Sequence, residues 1–248
     1  MRKLYFILMA LLVSVPVLAQ VEQEEENPGG WDFTLPINIE KYKPHSERRW
    51  IPDNTLNSSS FSLGFIGEQQ ADAGVALNMG ESFELEWGNI SSAKARLGKN
   101  AFIRIGWGIA WRNHRMTSRQ QFCLENDGTL TLQDYPEGAT PKFSRIKTFG
   151  ITIPLKYYQR LGKNVFFAAG PELEYVTHAS ALTRYTVNGE KKKIKEKDLK
   201  YNHFQFGIGA EVSLHNIGLY YKYTPTSVLQ NSYGPKFGTQ TVGIKLSL

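Results

Sequence analysis

From Phe61 onward, apolar and polar residues alternate along most of the chain. Ile103, Ile105, Trp107, Ile109 and Trp111 fall on one face, and Arg104, Gly106, Gly108, Ala110 and Arg112 fall on the other. Phe204, Phe206, Ile208, Ala210, Val212 and Leu214 likewise oppose Gln205, Gly207, Gly209, Glu211 and Ser213. Near the end of the chain, Val242, Ile244, Leu246 and Leu248 oppose Thr241, Gly243, Lys245 and Ser247. Successive side chains of a strand point to opposite faces, so a period of two sustained this long predicts strands with one apolar and one polar face. Eight such segments can be placed near residues 61–68, 81–95, 101–115, 144–159, 165–180, 201–214, 217–224 and 238–248.

The links between them alternate in length. Arg96-Leu97-Gly98-Lys99-Asn100 and Arg160-Leu161-Gly162-Lys163-Asn164 repeat one pentapeptide as a tight turn, and His215-Asn216 makes a third short turn. The links near 69–80, 116–143, 181–200 and 225–237 are longer. In an up-and-down barrel, strict alternation of short and long links puts all the short turns at one end and all the long loops at the other. Outer-membrane barrels show this pattern. Two long links carry hairpin signals of their own, Asn126-Asp127-Gly128 and Asn188-Gly189, which favour the positive φ of primed turns. Their flanks are expected to run on as ribbons beyond the membrane.

Alternation alone does not say which face is inside, because a soluble barrel alternates too. Three features place lipid outside. Glycine recurs on the polar face, at Gly64, Gly106, Gly108, Gly150, Gly207, Gly209 and Gly243 among others. Glycine weakens a strand, yet a narrow lumen needs it to make room for long side chains. The polar face also carries both signs of charge: Glu84, Glu86, Glu172, Glu174 and Glu211 against Arg104, Arg112, Lys156, Lys222 and Lys245. These ten residues are expected to form a charge network that closes the lumen, or to line it should it conduct. On the lipid face at mid-depth, each basic residue would cost about 2–4 kcal/mol. Finally, aromatics collect near strand ends, with Tyr157, Tyr158 and Phe167 by the short turns and Trp111, Tyr175, Tyr221 and Tyr223 toward the long loops. Two such girdles mark the two interfaces of a membrane barrel.

The start of the chain changes where this barrel should be found. Arg2 and Lys3 precede an apolar run from Leu4 to Leu18, and Val17-Leu18-Ala19 offers a small-residue cleavage site. This predicts a secretory signal peptide over residues 1–19, too short for a spanning helix. Residues 20–59 hold an acidic run and scattered prolines without a sustained period, and read as a polar N-terminal extension in the periplasm, expected to tuck under the barrel through Trp31 and Trp50. Residues 60–248 are the barrel. The formal charge of +6 falls to +4 once the leader is removed, and no nucleic-acid motif accompanies it. Cys123 is the only cysteine, which excludes an internal disulfide, a thiolate cluster and a lipoprotein cleavage site.

The chain resembles the porin-like or PorT-like outer-membrane β-barrels of Bacteroidota, and in architecture the small OmpA and OmpX type. The resemblance rests on the signal peptide, on Ile153-Pro154-Leu155-Lys156-Tyr157-Tyr158 before a glycine turn, on Phe167-Ala168-Ala169-Gly170-Pro171, and on a last strand ending at Leu248. Many outer-membrane barrels end in Phe, so Leu248 departs from the pattern. The resemblance implies insertion by the barrel-assembly machinery. The expected fold is therefore all-β, an eight-stranded antiparallel up-and-down transmembrane β-barrel in the outer membrane of a Gram-negative cell envelope. It is expected to act as a structural or interaction protein through its extracellular loops, in contact with lipid and lipopolysaccharide.

Two alternatives have named residues. A small porin or transport channel would need an open lumen between the arginines and the opposing glutamates. A lipid A-modifying hydrolase would need His178 and Ser180, a His-x-Ser pair that resembles that of an outer-membrane lipid A deacylase, with Glu174 orienting the histidine. His45, His114, His178, His203 and His215 show no metal-ligand spacing. No catalytic activity, cofactor or metal is expected. The Lys191–Lys193 run with Lys195, Lys197 and Lys200 is a candidate contact for an anionic partner such as lipopolysaccharide phosphates, against the simpler reading of a solvated ribbon. Cys123 has no assignable base and reads as a tolerated free thiol.

Overall fold

The computed structural model describes residues 31–34, 59–97, 99–117 and 120–248. The leader assigned to residues 1–19 and most of the 20–59 extension, Trp50 included, lie outside the described residues. Eight strands close into an antiparallel ring in chain order: β2 (Ser60–Gln69), β3 (Phe83–Arg96), β4 (Ala101–Arg115), β7 (Thr140–Arg160), β8 (Val165–Val187), β10 (Phe204–Leu214), β11 (Ile217–Thr224) and β12 (Gly238–Ser247). The ring shuts where β12 pairs with β2, from Gly238↔Gln69 to Ser247↔Ser60. Links of two to four residues join β3 to β4, β7 to β8 and β10 to β11 at one end, and the longer links lie at the other. His215 takes a positive φ of 55° in the tightest of these turns. Among the described residues no helix is long and apolar enough to cross a membrane.

The ring is inverted relative to a soluble protein. Leu219 is 65% exposed and Ile208 55%, whereas Glu84 is 0% and Lys222 4%. On β7 the outward column runs Tyr157, Leu155, Ile153, Ile151, Phe149, a band of roughly 26 Å along the strand at about 3.3 Å per residue. The aromatic assignment needs one correction. Tyr158 points inward and stacks on Phe102 at 4.6 Å, because its parity is that of Lys156 and not of Tyr157.

Small residues make room inside. Tyr220, on the lumenal side of β11, lies across Gly64 and Gly243. A Cβ at Gly243 would meet the Tyr220 ring at 2.7 Å and one at Gly64 would strike its hydroxyl. Two irregularities re-aim side chains. In β3 a bulge between Trp87 and Ser91 turns Asn89 inward at a φ of 51°. In β8 a bulge separates Val176, paired with Gly150, from His178, paired with Phe149. β1 (Trp31–Thr34) pairs with Ser92–Ala95 of β3, on the edge that β2 leaves once it begins at Ser60.

At the long-loop end the connections split into two structures. β8 continues through Asn188-Gly189 into β9 (Glu190–Glu196), and β7, β8 and β9 together form a three-stranded ribbon that outruns the barrel. The Asp127-Gly128 hairpin does otherwise. Its strands, β5 (Gln120–Leu124) and β6 (Leu130–Asp134), form a separate sheet rather than an extension of β4 and β7. Phe122 donates its amide to Ser144 Oγ at 2.9 Å, and Leu130 donates to the Tyr233 carbonyl at 2.9 Å. Phe122 and Leu130 join Val75, Leu77, Val228, Leu229 and Phe237 from the other links over Ile66, Ile146 and Ala179 of the wall. An apolar cap thus covers the barrel mouth. Phe237→Ala should cost about 3–5 kcal/mol as a core cavity. Limited proteolysis should then cut the 120–134 hairpin before any barrel strand.

Candidate functional site

Alternation brings all ten charged residues singled out above onto the lumenal face. Their pairing divides them into two groups. In the upper group, toward the cap, Lys222 of β11 reaches Glu84 at 3.0 Å, Glu86 at 3.0 Å and Glu172 at 2.8 Å. Arg112 of β4 meets Glu84 at 2.5 Å through Nε and contacts Glu174 through Nη1. Tyr220 donates its hydroxyl to Glu84 at 3.2 Å. In the lower group, toward the short turns, Glu211 of β10 accepts from Lys245 at 2.9 Å and from Lys156 at 3.2 Å. Arg104 takes part in neither network. Its guanidinium lies 5.4 Å from the Tyr158 ring and 5.8 Å from the Phe102 ring.

The two groups carry opposite excess charge. Four carboxylates face two cations above, and three cations face Glu211 below, so the lumen is polarised along its axis while its total nearly balances. Tyr220, Tyr158, Phe102 and Asn89 belong to this interior as much as the charges do. Three of them share the parity of the charged positions, which was the available signal. Asn89 reaches the lumen only through the bulge, which leaves no mark in the alternation.

The proposed hydrolase triad does not assemble. Glu174 faces the lumen beside Arg112, whereas the β8 bulge carries His178 to the outer face opposite Phe149. The register that put Glu174, His178 and Ser180 on one face breaks at Thr177. Among the described residues no group of His, Cys, Asp and Glu is arranged to hold a metal ion.

A second feature sits on the ribbon. Cross-strand pairing aligns Arg115 with Arg145, Arg145 with Leu182, Leu182 with Lys195, and Arg184 with Lys193. Lys191 and Lys147 extend the same outward face. Phe143 is enclosed by the guanidinium groups of Arg145 at 4.6 Å, Arg115 at 5.3 Å and Arg184 at 5.4 Å. Glu81, 2.9 Å from Arg115, is the acid paired to this cluster. Like charges directly across strands are destabilising, so the ribbon is not arranged for its own stability.

No protein-family profile matches the chain, and no curated protein sequence is similar to it. Among solved structures it is similar to Neisserial surface protein A (NspA), at 12% identity and a TM-score of 0.39, over 77% of this chain and 96% of that one. It is also similar to Ail, the attachment invasion locus protein of Yersinia pestis, solved with the heparin analogue sucrose octasulfate, at 10% identity and a TM-score of 0.32 over 77% and 99%. A third is the CymD monoaromatic hydrocarbon channel, at 9% identity and 0.28 over 77% and 66%. The barrel assignment rests on the strand pairing itself.

Two predictions follow from the charges. Lys222→Met strands Glu86 and Glu172 and leaves Glu84 to Arg112, and should cost about 3–5 kcal/mol, the range for breaking a buried ion pair. Lys156→Met leaves Glu211 with Lys245 and should cost well under half of that, read as shifts in the urea midpoint of the detergent-solubilised protein. On β5, burial, followed by Glu125 and Glu196, pushes the Cys123 thiol up from its usual value. The thiolate is the reactive form, so iodoacetamide should label Cys123 slowly at neutral pH, with the rate still climbing above the ordinary thiol range.

Proposed function

We propose that the chain is an outer-membrane protein whose closed barrel presents an interaction surface at its long-loop end. The observation that supports this best is the inversion of the ring: an unbroken outward band of Phe, Leu, Ile and Val around a charged interior. In water such a surface would be an aggregation hazard, and in hydrocarbon it is the required one. The aromatics Trp111, Phe149, Tyr175, Phe204 and Tyr221 ring its upper edge. On this reading, the leader over residues 1–19 delivers the chain to the envelope, where the barrel-assembly machinery inserts it. The short turns then face the periplasm and the ribbon faces outward.

A transport role is disfavoured by two separate obstructions, the ion-paired interior and the apolar cap. A structural and interaction role fits both. The outward column of β7 runs from Ile151 and Phe149 directly to Lys147 and Arg145, which carries basic side chains from the lipid band to the level of the headgroups. The phosphates of surrounding lipopolysaccharide are the partner this placement suits, since each Lys or Arg near an anionic surface is worth about 1 kcal/mol.

On a cold denaturing gel, the membrane-extracted protein should migrate differently before and after boiling. Recovery as a soluble periplasmic protein with no shift would refute the reading. In planar bilayers the barrel should be silent, and regular conductance steps would restore the channel. Added lipopolysaccharide should raise the temperature at which the folded band is lost, and the Arg145→Glu, Lys193→Glu double variant should lose most of that gain.

A further inference from the structure

The lower half of the lumen holds more positive charge than the chain itself answers. Arg104 and Lys156 lie directly across from each other on β4 and β7. Lys245 closes on them from β12. Against these three, the carboxylate in contact is Glu211, already shared by Lys156 and Lys245. Glu86 borders the same region, but it is drawn upward onto Lys222 at 3.0 Å. Like charges stacked across neighbouring strands raise the energy of a sheet unless something of opposite sign lies between them.

Arg104 shows where that something is missing. It is 4% exposed, and both its Nε and its Nη2 are buried without a hydrogen-bond partner. The two rings of Phe102 and Tyr158 hold the guanidinium in place, so the orphaned nitrogens are fixed. Buried guanidinium nitrogens left without acceptors are costly, and such atoms in a native fold call for a partner. Beside it is a small void whose polar lining is Ser60, Glu86, Asn89, Arg104, Lys156, Tyr158 and Lys245. Apart from Glu86, which is held by Lys222, each of those side chains has a hydrogen to donate. The space admits a single water-sized guest, and Ser60, the first residue of β2, places it at the short-turn end, away from the cap.

We propose that this void is a binding site for a small inorganic anion, chloride in the first instance, held by Arg104 with Lys156 and Lys245. The guest accepts from the orphaned guanidinium nitrogens and offsets the excess cations of the lower group. The site goes beyond the membrane role and does not depend on what surrounds the apolar band.

The test uses the full-length mature protein in detergent. Chloride NMR line width should show excess broadening that saturates with salt, and Arg104→Met should abolish the saturable part. The heat-shifted band checks that this variant is folded. If it is not folded, the decisive measurement is on the unmodified chain: crystals grown in bromide should show an anomalous peak in contact with the Arg104 guanidinium. Broadening unchanged by Arg104→Met, or bromide found only on the outer surface, would overturn the proposal.

Discussion

A single ammonium group, Lys222, holds three carboxylates drawn from two strands that are not its neighbours in the ring. Glu84 and Glu86 come from β3 and Glu172 from β8, and Lys222 reaches them across the lumen from β11. Removing four charged groups from water costs several kcal/mol each, so the arrangement persists only if they remain in contact. The narrow interior of an eight-stranded ring meets that condition, because a wider barrel would separate the partners and admit water. It also dictates where bulk is forbidden. Gly150 sits where a Cβ would meet Glu174 Oε1 at 2.7 Å and the Tyr175 carbonyl at 2.9 Å. Small residues and long charged ones are one design seen from two sides.

Ring and faces were legible because each depends on a period of two, which survives errors of a residue or so at a strand end. The polar parity of Arg104, Lys156 and Lys222 placed them on one face without any knowledge of distance. Which charge meets which could not be read, since pairs such as Lys222 with Glu84 are 138 residues apart and depend on the stagger of the closed sheet. Parity failed where a bulge inserted a residue. Asn89 moved inward and His178 moved outward for that reason, and a bulge leaves little trace in composition. Tyr158 departs from expectation for a different reason: it lies near a turn, as a girdle aromatic does, but its position in the alternation is lumenal.

The long-loop end illustrates how two similar turn signals lead to different outcomes. Asn188-Gly189 joins strands rich in lysine and threonine, which remain in water and stay in line with β8. The Asp127-Gly128 hairpin carries Phe122 and Leu130, each at most 2% exposed, and these apolar side chains draw it over the mouth onto Ile146 and Phe237. The turn sets the hairpin, and the side chains of its strands set where it goes. The result separates a sealed mouth from a charged projection standing beside it.

At the opposite rim, β3 extends beyond the point where β2 begins, and residues 31–34 lie along the overhang. An uncovered overhang would offer a row of unpaired amides and carbonyls to any extended peptide in the vicinity. By supplying its own strand there, the chain performs self-complementation. Residues 31–34 are thereby moored to the rim as part of the sheet, and a chain shortened past Thr34 would carry an open acceptor groove for a strand borrowed from a neighbour.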